Sequence, residues 1–304
     1  MRETHAVILA PTVSAASPAS TARAEPGVTL AVPAAAPNVA LVRQVLAGLL
    51  DSQAVDPALS ADVKIAVTEA CTNVVVHAYP DGAGPMETTM TLTPGNLLIS
   101  VRDRGGEFNP LPGDPGTPAL GFGLALIASL SDEFGIRSGA SGTEVQMLFH
   151  LGDTPAADGP QAFAQASQLS MSSTVAPDSI ALALAPGAPL VNVLGRVISL
   201  LAARADFSID RLSDAQLLSD ALATHAPKRA ANGYVRVGVV EERDGFELRI
   251  GPLEPDGGKA LVADTALPGV GSLLERLSNE VAFEPASGTQ HGGETLKLRL
   301  SRND

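Results

Sequence analysis

Glu69-Ala-Cys-Thr-Asn73-Val-Val-Val-His77-Ala-Tyr79-Pro-Asp-Gly82 is the stretch on which the fold turns. Its apolar spacing predicts a helix, and residues four apart on a helix share a face, so Glu69 and Asn73 point the same way. A carboxylate can orient or deprotonate a nucleophile, and an amide oxygen can take one position on Mg²⁺ while phosphates and water take the others. The pair suggests nucleotide chemistry, against the plainer alternative of a solvated helix face carrying Glu, Asn and His.

Downstream, Leu97-Leu-Ile-Ser-Val-Arg-Asp103-Arg-Gly105-Gly106 alternates like a strand and then breaks into glycines. An acid at such a strand end can accept a hydrogen bond from an exocyclic amine, and Gly105 lets a flat ring approach the backbone. Gly121-Phe-Gly123-Leu124 opens a further helix, whose unpaired amides and dipole suit anionic phosphates. Gly142-Thr143 starts a last alternating strand, where Thr143 can share base recognition with Asp103.

Each piece is weak alone, and order and spacing carry the signal. Together they resemble the N, G1, G2 and G3 boxes of the Bergerat-type ATP-binding fold shared by gyrase, Hsp90, histidine kinases and MutL, over residues 27–151. Within that superfamily, three features look most like the anti-sigma-factor serine kinases. These are the Glu-Ala-Cys-Thr-Asn…His-Ala-Tyr form, the short gap from Asp103 to Gly121, and the lack of a phospho-acceptor helical hairpin. The resemblance implies Glu69 as general base, Asn73 as Mg²⁺ ligand and Asp103 as adenine reader assisted by Thr143. It also implies a nucleotide cradle of Gly105, Gly121, Gly123 and Leu124, with His77 structural. The expected cofactors are ATP and Mg²⁺, and the expected partners are an anti-sigma antagonist and a sigma factor. Two features depart from the family. Phe122 stands where many relatives carry a basic residue, and residues 105–120 hold no Lys or Arg, leaving Arg104, and less readily Arg102, to steady a γ-phosphate.

The 304 residues suggest two domains. An apolar content of 45% with 3% aromatics and no Trp predicts cores of Ala, Val and Leu. A formal net charge of −13 argues against nucleic acid or an anionic membrane as partner. The single cysteine, Cys71, forms no internal disulfide, which fits a reducing cytoplasm, and no apolar run reaches the roughly 20 residues of a membrane span. Met1-Arg-Glu-Thr-His-Ala-Val-Ile-Leu-Ala-Pro11 makes a poor signal peptide, because Glu3 cancels the basic leader and Pro11 interrupts early.

The expected organisation is a flexible tail at 1–27, an ATP-binding domain at 28–151, a Pro/Gly/Ser-rich linker at 152–177 and a second domain at 178–304. In the first domain, strands are expected at 28–33, 86–93, 97–103, 133–138 and 143–150, with helices at 38–52, 61–78 and 122–132. The fold class is α+β, two tandem α/β sandwiches with helices on one face of a mostly antiparallel sheet. At an offset of about 150 the order of elements begins again. Helices are expected at 190–203 and 213–225 and strands at 234–241 and 246–251. Pro268-Gly-Val-Gly271 mirrors Leu120-Gly-Phe-Gly123, and Gly293-Glu-Thr-Leu mirrors Gly142-Thr-Glu-Val. This second copy has Thr224 at the Asn73 position and Pro252 near the Asp103 position, so it reads as a pseudo-domain without ATP. A fused degenerate copy could replace the second subunit of the homodimers that family members often form.

Two functions are compatible with these motifs. The first is a partner-switching serine/threonine kinase; the second is a nucleotide-sensing or sequestering module with negligible turnover. The catalytic half of a split histidine kinase is a poorer fit, since none of the five histidines sits in an acceptor hairpin.

Overall fold

The structure, a computed structural model, describes residues 5–6, 27–53, 55–80, 82–106, 122–152, 179–186, 188–231, 233–286 and 293–302. Two compact units emerge. The first comprises Met1–Thr29, Pro33–Arg43 and Val55–Pro177, and the second comprises Leu30–Val32, Gln44–Ala54 and Asp178–Asp304.

The first unit contains β1 (His5–Ala6), β2 (Gly27–Pro33), α1 (Ala36–Leu50), α2 (Pro57–Asn73), β3 (Pro85–Thr93), β4 (Asn96–Asp103), α3 (Phe122–Leu130), β5 (Glu133–Gly139) and β6 (Gly142–His150), although parts of β2 and α1 are grouped with the second unit. Its strands run in the order β1-β5-β6-β4-β3-β2. Every adjacent pair among β3 to β6 is antiparallel, and β1 pairs parallel with β5. Alternation along β4 puts Leu97, Ile99, Val101 and Asp103 on one face, all buried, so the strand delivers its only acid from the end of an apolar row. Helix α2 contacts β4 and buries Val63, Ala66, Val67, Ala70 and Cys71, while α3 packs on α2 and buries Leu124 and Ile127. Fully burying an aliphatic side chain contributes about 1.5–3 kcal/mol, so this apolar layer is what holds α2 and α3 over the sheet.

Helix α2 starts at Pro57, four residues before its expected position. The Asp56 carboxylate caps it, accepting from Ala58 N at 2.9 Å and Leu59 N at 3.3 Å, and Pro57 occupies the first turn, where its missing N–H costs nothing. The helix expected to continue evenly through Ala78 instead widens after Asn73 into one π turn, Val74–Ala78. A single π turn inserts a residue and so re-aims the chain beyond it.

The second unit contains β7 (Ile180–Leu184), α4 (Leu190–Arg204), α5 (Ile209–Arg229), β8 (Val235–Glu242), β9 (Gly245–Leu253), α6 (Gly257–Asp264), β10 (Ala266–Leu267), β11 (Gly271–Ser272), α7 (Leu273–Leu277), β12 (Glu280–Pro285) and β13 (Glu294–Ser301). Its main strands run β7-β8-β9-β13-β12, matching β2-β3-β4-β6-β5 position for position. Helix α5 is longer than expected. Ser208 caps its start by accepting from Arg211 N at 3.2 Å, and Arg211, itself buried, donates to Ser301 O, Asn279 Oδ1 and the Asp214 carboxylate, tying the helix start to the last strand. Leu, Val, Ala and Ile dominate both cores, and Phe246 stacks on Phe207 with ring centroids 5.6 Å apart. Helix α6 and the β10–β11 hairpin were not expected.

Candidate functional site

Asp103 is 5% exposed, and its Oδ1 accepts hydrogen bonds from Gly105 N at 2.9 Å and Thr143 N at 3.1 Å. These two bonds hold the carboxylate in one orientation and fasten the turn after β4 to the start of β6. Thr143 is also buried, and its hydroxyl lies 3.1 Å from that of Ser138. Gly142 supports the junction with φ +110° and a backbone so close that a Cβ would fall 2.2 Å from Asp103 O, which only glycine tolerates.

Gly105 faces the end of α2. A Cβ built there would stand 2.1 Å from Ala78 O, so the turn after Asp103 and the π turn after Asn73 touch backbone to backbone. Tyr79 closes the same junction. Its hydroxyl donates to Pro85 O at 2.6 Å and accepts from Arg104 N at 2.7 Å, while its ring lies against Gly84, where a Cβ would reach to 2.1 Å of the ring. Partial burial pushes the Tyr79 hydroxyl above the ordinary phenol value, against the opposing effect of the Arg104 N–H.

Glu69 and Asn73 lie half-buried on α2, as the four-residue spacing requires, and Gly123 comes up against Glu69, with a built Cβ 2.2 Å from Oε1. Leu124, beside it, is buried as an apolar anchor of α3. Phe122, at the head of that helix, is 87% exposed. Gly121 and most of the expected lid lie outside the described residues. His77 is exposed on the π turn. Cys71, between Glu69 and Asn73, is fully buried, and burial pushes its thiol up to about 12. It is therefore a small apolar wall of the helix rather than a nucleophile.

The structure thus brings Asp103, Gly105 and Thr143 together at one strand end and Glu69 and Gly123 together on the α2–α3 pair. Sequence reasoning missed Tyr79 and Gly84. The signal for Tyr79 was the phenol itself, since a buried tyrosine usually finds a partner for its hydroxyl.

The second unit is built differently at the matching place. Strand β9 ends in Pro252 and Leu253, and Glu294 stands where Thr143 stands in the first unit, opposite Leu253. Its carboxylate accepts from Gly258 N at 2.8 Å, and a Cβ on Gly258 would press on both Glu294 and Phe283. Helix α6 packs against α5, α7 and β13, the counterparts in order of α2, α3 and β6. Asp264 at its end takes a two-pronged hydrogen bond from Arg229 of α5, at 2.8 and 2.9 Å. Thr224, matched to Asn73, turns its hydroxyl back to Asp220 O.

A helix pair over an antiparallel sheet, with an anchored strand-end acid and glycines pressed against it, defines a histidine kinase-like ATPase domain, and the model of that domain family matches residues 32–149. The serine-protein kinase RsbW of Bacillus mycoides (strain KBAB4) is 34% identical over 121 residues, covering 36% of this chain and 76% of that protein. The RsbW of Bacillus anthracis matches to the same extent. The chain belongs to the RsbW serine-protein kinase family, of the anti-sigma-factor type. Among solved structures, the RsbU and RsbW domains of Rv1364c from Mycobacterium tuberculosis are 27% identical, with a TM-score of 0.35, over 42% of this chain and 33% of that one. None of the described helices is long and apolar enough to cross a membrane.

Proposed function

We propose that the first unit binds Mg·ATP and phosphorylates a serine or threonine on an anti-sigma antagonist, and that nucleotide and phosphorylation state decide whether the chain holds that antagonist or a sigma factor. The observation that carries this reading is the doubly bonded, buried carboxylate of Asp103. With Oδ1 engaged by two backbone amides, Oδ2 is left to accept from an exocyclic amine, which suits adenine. Gly105, Gly121 and Gly123 would admit the nucleotide to the backbone, and α3 would offer its N-terminal amides to phosphate. Asn73 would hold Mg²⁺ through its amide oxygen, with phosphates and water as the other ligands; the ion supplies charge neutralisation when bound. Glu69 would accept the proton of the attacking hydroxyl. Phosphoryl transfer demands mainly positioning and charge stabilisation, so one small domain suffices. The reducing cytoplasm is the compartment that fits a lone buried thiol and these partners.

In this reading the second unit is a diverged copy of the first that has lost nucleotide chemistry: the strand-end acid is gone, and α6 packs on the elements that would surround a nucleotide. One nucleotide per chain is therefore expected. Calorimetry with ATP and Mg²⁺ tests this, together with transfer of labelled phosphate to purified candidate antagonists by wild type, Glu69→Ala and Asn73→Ala. Absence of binding, or a stoichiometry of two, contradicts the proposal, and transfer that survives Glu69→Ala removes that residue from the chemistry. A sequestering module without turnover is the second reading. It is favoured by Phe122, bare and apolar at the position where relatives carry a cation, and by ATP binding without transfer in the same assay.

A further inference from the structure

The proposed chemistry leaves Tyr79 unused, yet its hydroxyl touches the backbone on both sides of the base-reading strand end. Arg104 N, which it accepts from, belongs to the residue between Asp103 and Gly105, the two that the nucleotide reading assigns to the base. Pro85 O, to which it donates, heads β3, and the next residue, Met86, is the register partner of Asp103. Tyr79 itself comes directly after the π turn, whose last residue, Ala78, presses its carbonyl on Gly105. The peptide carrying Asp103 is thus held from three sides: by its own carboxylate bonds, by the Ala78–Gly105 contact and by the Tyr79 hydroxyl. Only the last depends on a single removable atom.

We propose that Tyr79 is a positioning residue for base recognition: its hydroxyl fixes the Asp103–Gly105 turn so that the free oxygen of Asp103 meets an exocyclic amine. This rests on the nucleotide reading given above. A purely structural clasp would lower stability on removal and leave base preference alone, because loss of folded protein weakens every ligand equally. A positioning role alters the ratio between bases. Inosine triphosphate is the probe, since it carries the same phosphates and ribose but a carbonyl in place of the amine, and an oriented carboxylate rejects it.

The experiment measures ATP and inosine triphosphate affinity of the full chain, with Mg²⁺, for wild type and Tyr79→Phe, alongside thermal unfolding. Loss of one hydrogen-bonding hydroxyl is worth about a five- to tenfold change. Tyr79→Phe is expected to weaken ATP by about that factor, to leave inosine triphosphate nearly unchanged, and so to shrink the preference for ATP. Gly84→Ala, which displaces the ring while keeping the hydroxyl, should move the ratio the same way and carries the test if Tyr79→Phe folds poorly. An unaltered ratio in the folded variants overturns the proposal while leaving the ATP site intact. Failure of the wild type to bind either nucleotide overturns the ATP reading, and this proposal with it.

Discussion

Replacing Gly123 by alanine separates what the α2–α3 junction does for stability from what it does for chemistry. A Cβ at this position lands 2.2 Å from Glu69 Oε1, with the carboxylate carbon at 3.1 Å and Cγ at 3.2 Å, so the collision is with the far end of a flexible, half-buried side chain. Turning that end aside costs about 0.5–1.5 kcal/mol if it must leave a staggered rotamer. Alanine in a helix gains up to about 1 kcal/mol over glycine, less in a first turn. The two terms nearly cancel, and the net change in stability should stay within about 1 kcal/mol. With Glu69 as the base proposed above, catalysis has no such compensation: displacing a general base by about 1 Å costs roughly a hundredfold. Urea unfolding and single-turnover transfer of labelled phosphate to a purified antagonist read the two quantities, with kcat expected to fall far more than KM rises. Transfer within a few-fold of wild type would refute the assignment of Glu69 as base. Destabilisation beyond about 3 kcal/mol would show that the junction cannot yield and would refute the rotamer argument.

Gly105→Ala is the contrasting case, because its Cβ would meet the Ala78 carbonyl, a backbone atom that cannot swing away. It should destabilise the first unit by about 1–3 kcal/mol, read as a lowered urea midpoint with the slope unchanged. Cys71 gives a pH prediction. Its thiol is raised from 9.0 to about 12 by burial, so the folded state keeps a proton that the unfolded chain releases. The contribution of Cys71 to stability should therefore be level below pH 9 and fall between pH 9 and 12 by about 1.4 kcal/mol per pH unit. Urea unfolding at pH 8 and pH 10 checks this against Cys71→Ala, in which that component of the slope disappears.

What could be read from the sequence was whatever depended on local pattern. The alternation of Leu97 to Val101 ran into Asp103 and marked it as the strand-end acid, which the structure buries, and the four-residue spacing set Glu69 and Asn73 one turn apart on α2. The Asp56-Pro57 start was equally local and was overlooked, although an acid before a proline is a cap signal. Other features were not legible, because distant contacts create them. The π turn after Asn73 lets Ala78 and Tyr79 reach Gly105 and Arg104, residues far along the chain. Helix α6 begins at Gly257-Gly258, which propensity reads as a turn; it forms because Gly258 N finds Glu294 and Asp264 finds Arg229, both well removed in sequence.

Helix α6 also bears on whether the second unit could take up a nucleotide. An acid at Leu253, opposite Glu294, would supply one contact, yet Gly258, Phe283 and Glu294 would still be locked together, with Asp264 pinned to Arg229. If the second unit is the diverged copy proposed above, reversal demands several simultaneous changes, each unfavourable until the others are made, so that half behaves as a one-way ratchet: free to drift at its surface, and barred from catalysis one substitution at a time.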